Sequence, residues 1–273
     1  MKIFCVYFCM LLCAFCTFFI PASAQTHSDS DSFRVVFINP GHPYKNATGG
    51  FWFKVNQFME AAADDLNIEL ISLNAERNHL VMKSLTSKVV ELKPDYLILV
   101  NEKGIAEKML ASIEQHKIPV FMLLNSFSDQ ELTVMDKSKQ DLIIGSVQPD
   151  NFIAGKNLAL SLIKSHQAKV DMPSTNDKYK IFALLGDYTT PASQARNRGL
   201  KSAVESIPDV ELIDAQVANW SRTEAYNKSL AIIKRVGPDI IWAANDPMAF
   251  GAKQAWIDSK IDKTLSIGGV NWD

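Results

Sequence analysis

Cysteine is absent from this 273-residue chain beyond its first sixteen positions. Cys5, Cys9, Cys13 and Cys16 all fall inside one N-terminal apolar run. The remainder therefore holds no disulfide, no thiolate metal site and no cysteine nucleophile. Histidine is sparse as well: His27, His42, His79, His116 and His166 show no local ligand spacing, so no metal or other cofactor is expected. An excess of positive charge is also missing. The formal net charge is −2, which makes no case for nucleic acid. Nucleophile elbow, phosphate loop and paired-carboxylate motifs are lacking, so the chain does not read as an enzyme. There is no short internal repeat, and the sequons at Asn46, Asn219 and Asn227 read as chance matches.

What is present is globular. With 47% hydrophobic and 21% charged residues, the chain can bury one large or two medium cores, and at this size it needs no disulfides. Its first 24 residues stand apart: Lys2, an apolar run from Ile3 to Ile20, then Ala22-Ser23-Ala24. This is the charged, apolar and small-residue pattern of a secretory signal peptide cleaved after Ala24. The run nearly spans a bilayer, so an uncleaved anchor is the alternative. Neither Cys13 nor Cys16 follows the small residue that precedes a lipidated cysteine. Residues 25–32 read as a polar, disordered leader.

From Phe33 onward short apolar runs alternate with helical periodicity. Strands are expected at 33–39, 68–73, 96–100, 118–124 and 142–147, and helices at 51–66, 79–92, 104–116 and 151–165. After a polar loop the rhythm restarts, with strands at 179–185, 210–215, 240–244 and 264–270 and helices at 193–206 and 222–236. Strands separated by crossover helices predict an α/β fold of two Rossmann-like lobes with parallel sheets. The lobes are expected at 33–140 and 151–273, with a hinge crossing over 141–150. The sequence stops just past a strand, so the second lobe is expected to be incomplete and the fold truncated.

One stretch organises the second half. Ile240 to Ala244 is apolar without alternation, as in a parallel strand covered on both faces. Asn245 and Asp246 end it, and Pro247 suits the first turn of a helix. Open α/β sheets place ligand groups where a strand delivers such residues to its carboxyl end.

Four segments in order, GGFWFKVNQFMEAA, SQARNRGLKSAVES, AANDPMAFGA and IGGVNWD, resemble the type I periplasmic sugar-binding proteins. These include ribose- and galactose-binding proteins and, as a variant, the autoinducer-2 receptor. LacI-type repressors share the fold, but a signal peptide in place of a helix-turn-helix argues against them. The resemblance implies a monomeric periplasmic receptor of a Gram-negative envelope, with a small polar, sugar-like ligand caught between hinged lobes. Delivery to the permease of an ABC importer is the leading expectation. The alternative is a signal receptor that presents its ligand-bound form to a membrane sensor kinase or cyclase.

The resemblance also implies ligand residues. Phe51 and Trp52 match an aromatic pair flanking a sugar ring, with Trp52 expected to be the exposed partner. Asn39 ends strand one. Asn125, with Ser126, replaces the Asp-Arg pair of the sugar binders, so the first lobe is expected to lack a charged hydroxyl clamp. Arg196 matches the ligand arginine of the second lobe, Arg198 should face elsewhere, and Trp220 matches an aromatic at that lobe's mouth. Asn245 is expected to contact ligand, while Asp246 caps the helix. Asn271 stands where an Asp is frequent. Amides replacing two carboxylates would also tolerate a negatively charged ligand.

Overall fold

The computed structural model describes residues 32–46, 50–171 and 177–270. The expected signal peptide, the leader up to residue 31, and Asn271 lie outside them. Two fully parallel sheets form, one in each half of the chain. The first contains β1 (Arg34–Asn39), β2 (Glu69–Asn74), β3 (Tyr96–Leu99), β4 (Val120–Leu123) and β5 (Ile143–Val147), ordered β2-β1-β3-β4-β5. The second contains β6 (Tyr179–Leu185), β7 (Val210–Val217), β8 (Ile240–Ala243) and β9 (Ser266–Gly269), ordered β7-β6-β8-β9.

Helices α1 (Phe51–Asp65), α2 (His79–Leu92) and α3 (Ala106–Ile113) make the crossovers of the first lobe. Helix α6 (Asn151–Gln167) leads from β5 to β6, and α7 (Pro191–Glu205), α8 (Arg222–Arg235) and α9 (Asp246–Ser259) make the crossovers of the second lobe. Two short helices, α4 (Asp129–Val134) and α5 (Lys137–Gln140), occupy a connection for which no element was expected. The central strands are buried because helices cover both sheet faces; Val36, Phe37 and Ile38 in β1 and all of β8 are inaccessible or nearly so, while the edge strand β5 is partly exposed. Each lobe has its own apolar core.

The segment expected as the hinge crossing, 141–150, holds a strand. β5, inside the segment expected to be a hinge crossing, pairs with β4 and forms the edge of the first sheet. Gln148–Asp150 then carries the chain to α6.

Glycines set the spacing of the helices that carry second-lobe cleft residues. A Cβ on Gly155 of α6 would collide with the Arg196 backbone, and one on Gly199 of α7 with the Phe152 carbonyl. The contact is reciprocal, so α6 and α7 touch backbone to backbone. Trp242 of β8, fully buried, donates its indole N–H to the Gly155 carbonyl at 3.1 Å and ties this crossing to the sheet. Gly155→Ala is expected to cost about 1–3 kcal/mol, the usual toll of overpacking. Denaturant unfolding checks this; an unchanged midpoint would refute the close-contact account.

Candidate functional site

The carboxyl ends of both sheets face one cavity of about 130 Å3 between the lobes. A space on the order of 150 Å3 holds one benzene-sized ring, so this is room for a single small ring and not a chain of them. Six of the eight expected residues line it: Phe51, Trp52, Asn125, Arg196, Trp220 and Asn245. Asn39 does not, and Asn271 lies outside the described residues.

The expectation for Asn39 needs correction. It is 0% exposed, with its amide donating to the Trp52 carbonyl at 3.2 Å and its Oδ1 accepting from the Gly41 N–H at 2.8 Å. Both ends of the side chain are used in fixing the start of α1, so Asn39 positions Trp52 and does not reach the cavity. Gly41 is required at the same point, because a Cβ there would collide with Trp52. Phe51 and Trp52 meet edge to face with centroids 5.1 Å apart. Both are half-buried and both line the cavity, but it is Trp52 that packs on the first-lobe core. Trp52 is therefore not simply the exposed member of the pair.

The cap expected of Asp246 belongs to Asn245, which keeps its place in the cavity wall as well. Asn245 is the N-cap of α9, accepting from the Met248 N–H at 3.0 Å, and its amide donates to the Trp220 carbonyl at 3.3 Å. It reaches the cavity while capping the helix. Asp246, the first residue of α9, stands near Arg196 and opposes the loss of that guanidinium's charge. An asparagine caps a helix as well as an aspartate does, so sequence alone assigns the cap poorly. In the first lobe Asn101 plays a similar part past β3, accepting from the Ala106 N–H at 3.1 Å and donating to the Ser126 carbonyl at 3.3 Å.

Arg196 is 7% exposed. Its Nε donates to Asn151 Oδ1 at 2.9 Å and its Nη1 to the Ala244 carbonyl at 2.6 Å, while its guanidinium carbon lies 5.8 Å from the Trp220 ring centroid. Burial draws its pKa down to about 10, with Asp246 opposing, so it stays charged at neutral pH. Arg198 is exposed, as expected.

Trp220 is held from behind by Asp187, which no motif singled out. The buried Asp187 carboxylate accepts from the Trp220 indole at 2.8 Å, the Thr190 hydroxyl at 2.6 Å, and the Thr190 and Thr189 N–H groups at 2.7 and 2.8 Å. Burial alone would raise its pKa, but these donors together outweigh it and keep the carboxyl below its usual range.

Asn125 bridges the lobes. Its Oδ1 accepts the Ala192 N–H at 3.1 Å, inside the first turn of α7. Thr190, the residue preceding α7, makes no side-chain cap of its own. An orphan N–H of a second-lobe helix is thus satisfied by a first-lobe side chain.

Two further residues were not foreseen. Arg77 and Glu102 form an ion pair at 2.8 Å, with side chains 18% and 7% exposed, and both line the cavity. Arg77 follows β2 and Glu102 follows β3. Burial raises the Glu102 pKa most, Arg77 opposes, and Asp187 across the cleft adds to the rise. Three cavity residues have left-handed backbone: Arg77 at φ 64°, Leu124 at φ 62° and Trp220 at φ 60°. Such conformations cost about 1–3 kcal/mol each and gather at functional sites.

The cavity thus combines three aromatic rings with amides, an arginine and an ion pair, a lining whose chemistry can pack on the faces of a small polar ring and hydrogen-bond its edge. Residues 42–272 match the periplasmic binding protein domain. The chain is 26% identical over 200 residues to the xylitol-binding protein of Mycolicibacterium smegmatis, covering 72% of this chain and 52% of that protein. It is 25% identical over 240 residues to the fructose import binding protein of Bifidobacterium longum, covering 86% and 67%. A crystal structure of a periplasmic sugar-binding protein from Pseudomonas fluorescens aligns with a TM-score of 0.71 at 32% identity, covering 85% of this chain and 67% of that one. The chain spans about half the length of the xylitol-binding protein it matches.

Proposed function

This chain belongs to the periplasmic binding protein domain family, and on that premise we propose that it captures one monosaccharide-sized, sugar-like ligand between its lobes for delivery to an ABC importer. The observation that carries this reading is the cavity between the sheet ends, of single-ring size and walled by Phe51, Trp52 and Trp220. The import role rests on relatives named for import of fructose and D-apiose. Binding without turnover fits relatives that are binding proteins. Secretion by residues 1–24 fits a periplasmic site of action.

Closure about the Gln148–Asp150 connection brings the two walls onto the ligand, and the ligand favours the closed form through contacts it makes only there. A thermal-shift and calorimetric screen of the secreted protein against pentoses, hexoses and polyols tests the reading. Saturation at 100 times Kd adds about 2.7 kcal/mol of stability. No shift with any of them would reject a sugar-like ligand.

The Asn125 bridge makes a separate prediction. Asn125→Ala removes one cross-lobe hydrogen bond, worth about 1 kcal/mol, so the closed-to-open ratio should fall about fivefold and the apparent affinity by up to that factor. Small-angle scattering of the unliganded variant should show a larger radius of gyration. An unchanged radius would mean that the bond does not hold the lobes.

A further inference from the structure

We propose that Arg77 and Glu102 are the first lobe's hydroxyl clamp, and that they select a neutral polyhydroxylated ring over its acid analogue. The inference rests on the receptor reading and names the chemistry of its cavity. The sequence suggests a first lobe without a charged hydroxyl clamp, since Asn125 and Ser126 follow β4. The structure brings an arginine and a carboxylate to the cavity wall from elsewhere, the loops after β2 and β3.

Three physical points support the assignment. Stability alone does not explain the pair, because a buried ion pair commonly stabilises a fold no better than an apolar pair of the same volume. The backbone that presents Arg77 is itself costly: Glu76 at φ 51° and Arg77 at φ 64° are consecutive left-handed residues, pinned by N–H bonds to the Gly41 and Pro40 carbonyls at 2.9 and 2.8 Å. The donor set is matched to its target. Glu102 engages Nη1 of the guanidinium, and a hydroxyl, both donor and acceptor, can bridge a carboxylate oxygen and a second arginine nitrogen.

Charge then decides between neutral and acidic ligands. Arg77 is balanced by Glu102, and Arg196 has Asp246 beside it. A ligand carboxylate would enter beside Glu102, with Asp187 across the cleft adding a second negative charge, and like charges in a desolvated site oppose one another. The tolerance for anions suggested by the amides at Asn125 and Asn271 is therefore withdrawn by a carboxylate that arrives from another loop.

Calorimetry on the full secreted chain tests this with galactose, arabinose, fructose and xylitol as neutral probes, and galacturonate as the acid partner of galactose. The unmodified protein should bind at least one neutral probe, and galactose at least tenfold more tightly than galacturonate. Glu102→Gln, which keeps shape and removes charge, should weaken the best neutral probe at least tenfold and narrow the galactose-to-galacturonate ratio. Should that variant fail to fold, Arg77→Lys, which keeps the charge but not the fork, should weaken the neutral probe tenfold. Glu102→Gln binding within twofold of the unmodified protein, while Trp220→Ala loses binding, would overturn the clamp and leave the receptor reading standing. Tighter binding of galacturonate than galactose would also overturn it. Failure of the unmodified protein to bind any probe would overturn both.

Discussion

Arg196→Ala is expected to lower affinity for a sugar-like ligand by about 100-fold or more, since each hydrogen bond from a charged donor is worth roughly 1.5–3 kcal/mol. The loss has two parts. The guanidinium holds Asn151 and the Ala244 carbonyl in place, and both Asn151 and Asn245, next to Ala244, face the cavity. It also lies over Trp220, so removal frees the ring on one side. Arg196→Lys should recover little of this, because an ammonium cannot serve two acceptors in the directions of Nε and Nη1. Calorimetry with the best ligand of the screen measures the effect. Binding by Arg196→Ala within threefold of the unmodified protein would show that the arginine is only a strut.

The second large effect belongs to Asp187. Asp187→Ala leaves the Trp220 indole, the Thr190 hydroxyl and the backbone donors of Thr189 and Thr190 without their acceptor, and should cost roughly 3 kcal/mol or more. The pH dependence has a definite sign. The folded carboxyl titrates below its ordinary value of 3.8, so its contribution is complete above that value and disappears as pH falls through the lower folded one. The stability gap between the unmodified protein and Asp187→Ala should be widest near neutrality and narrow progressively as pH falls below 3.8. Denaturant unfolding at pH 7 and pH 3 measures it. A gap that stays constant would mean that Asp187 acts through packing and not as a charged acceptor.

These residues also show where the sequence was readable. The βαβ rhythm could be read because parallel strands covered on both faces leave unbroken apolar runs, and the bounds expected for β6 and α2 match those observed. Trp220 lies in the cavity because the residues after a strand's carboxyl end have few other places to go, and Arg196 reaches it from the second turn of the helix that follows such an end. Asn39 misled because an asparagine at a strand end can turn either outward to a ligand or back onto its own loop, and only the Trp52 carbonyl and the Gly41 N–H decide which. Arg77 and Glu102 could not be seen at all. They are 25 residues apart in polar segments, and only the adjacency of β1 to both β2 and β3 brings their loops to one wall. Asp187 looked like any loop aspartate until its donors, spread from Thr189 to Trp220, were in place.

The shared strand order has a consequence for how a ligand must lie. β2-β1-β3-β4 and β7-β6-β8-β9 are the same arrangement, so the halves share one topology that no linear repeat reveals. Matching positions carry matching residues: Asn101-Glu102 past β3 and Asn245-Asp246 past β8, each an amide followed by an acid. Past β2 and β7 the backbone again agrees, with consecutive left-handed residues at Glu76-Arg77 and Asn219-Trp220. Here the side chains diverge, an arginine on one side and an indole on the other. A symmetric pair of jaws would grip a ring equally well in two opposed poses. The Arg77/Trp220 divergence breaks that degeneracy, offering a charged edge to one side of the ligand and a flat face to the other, so that it has one way up.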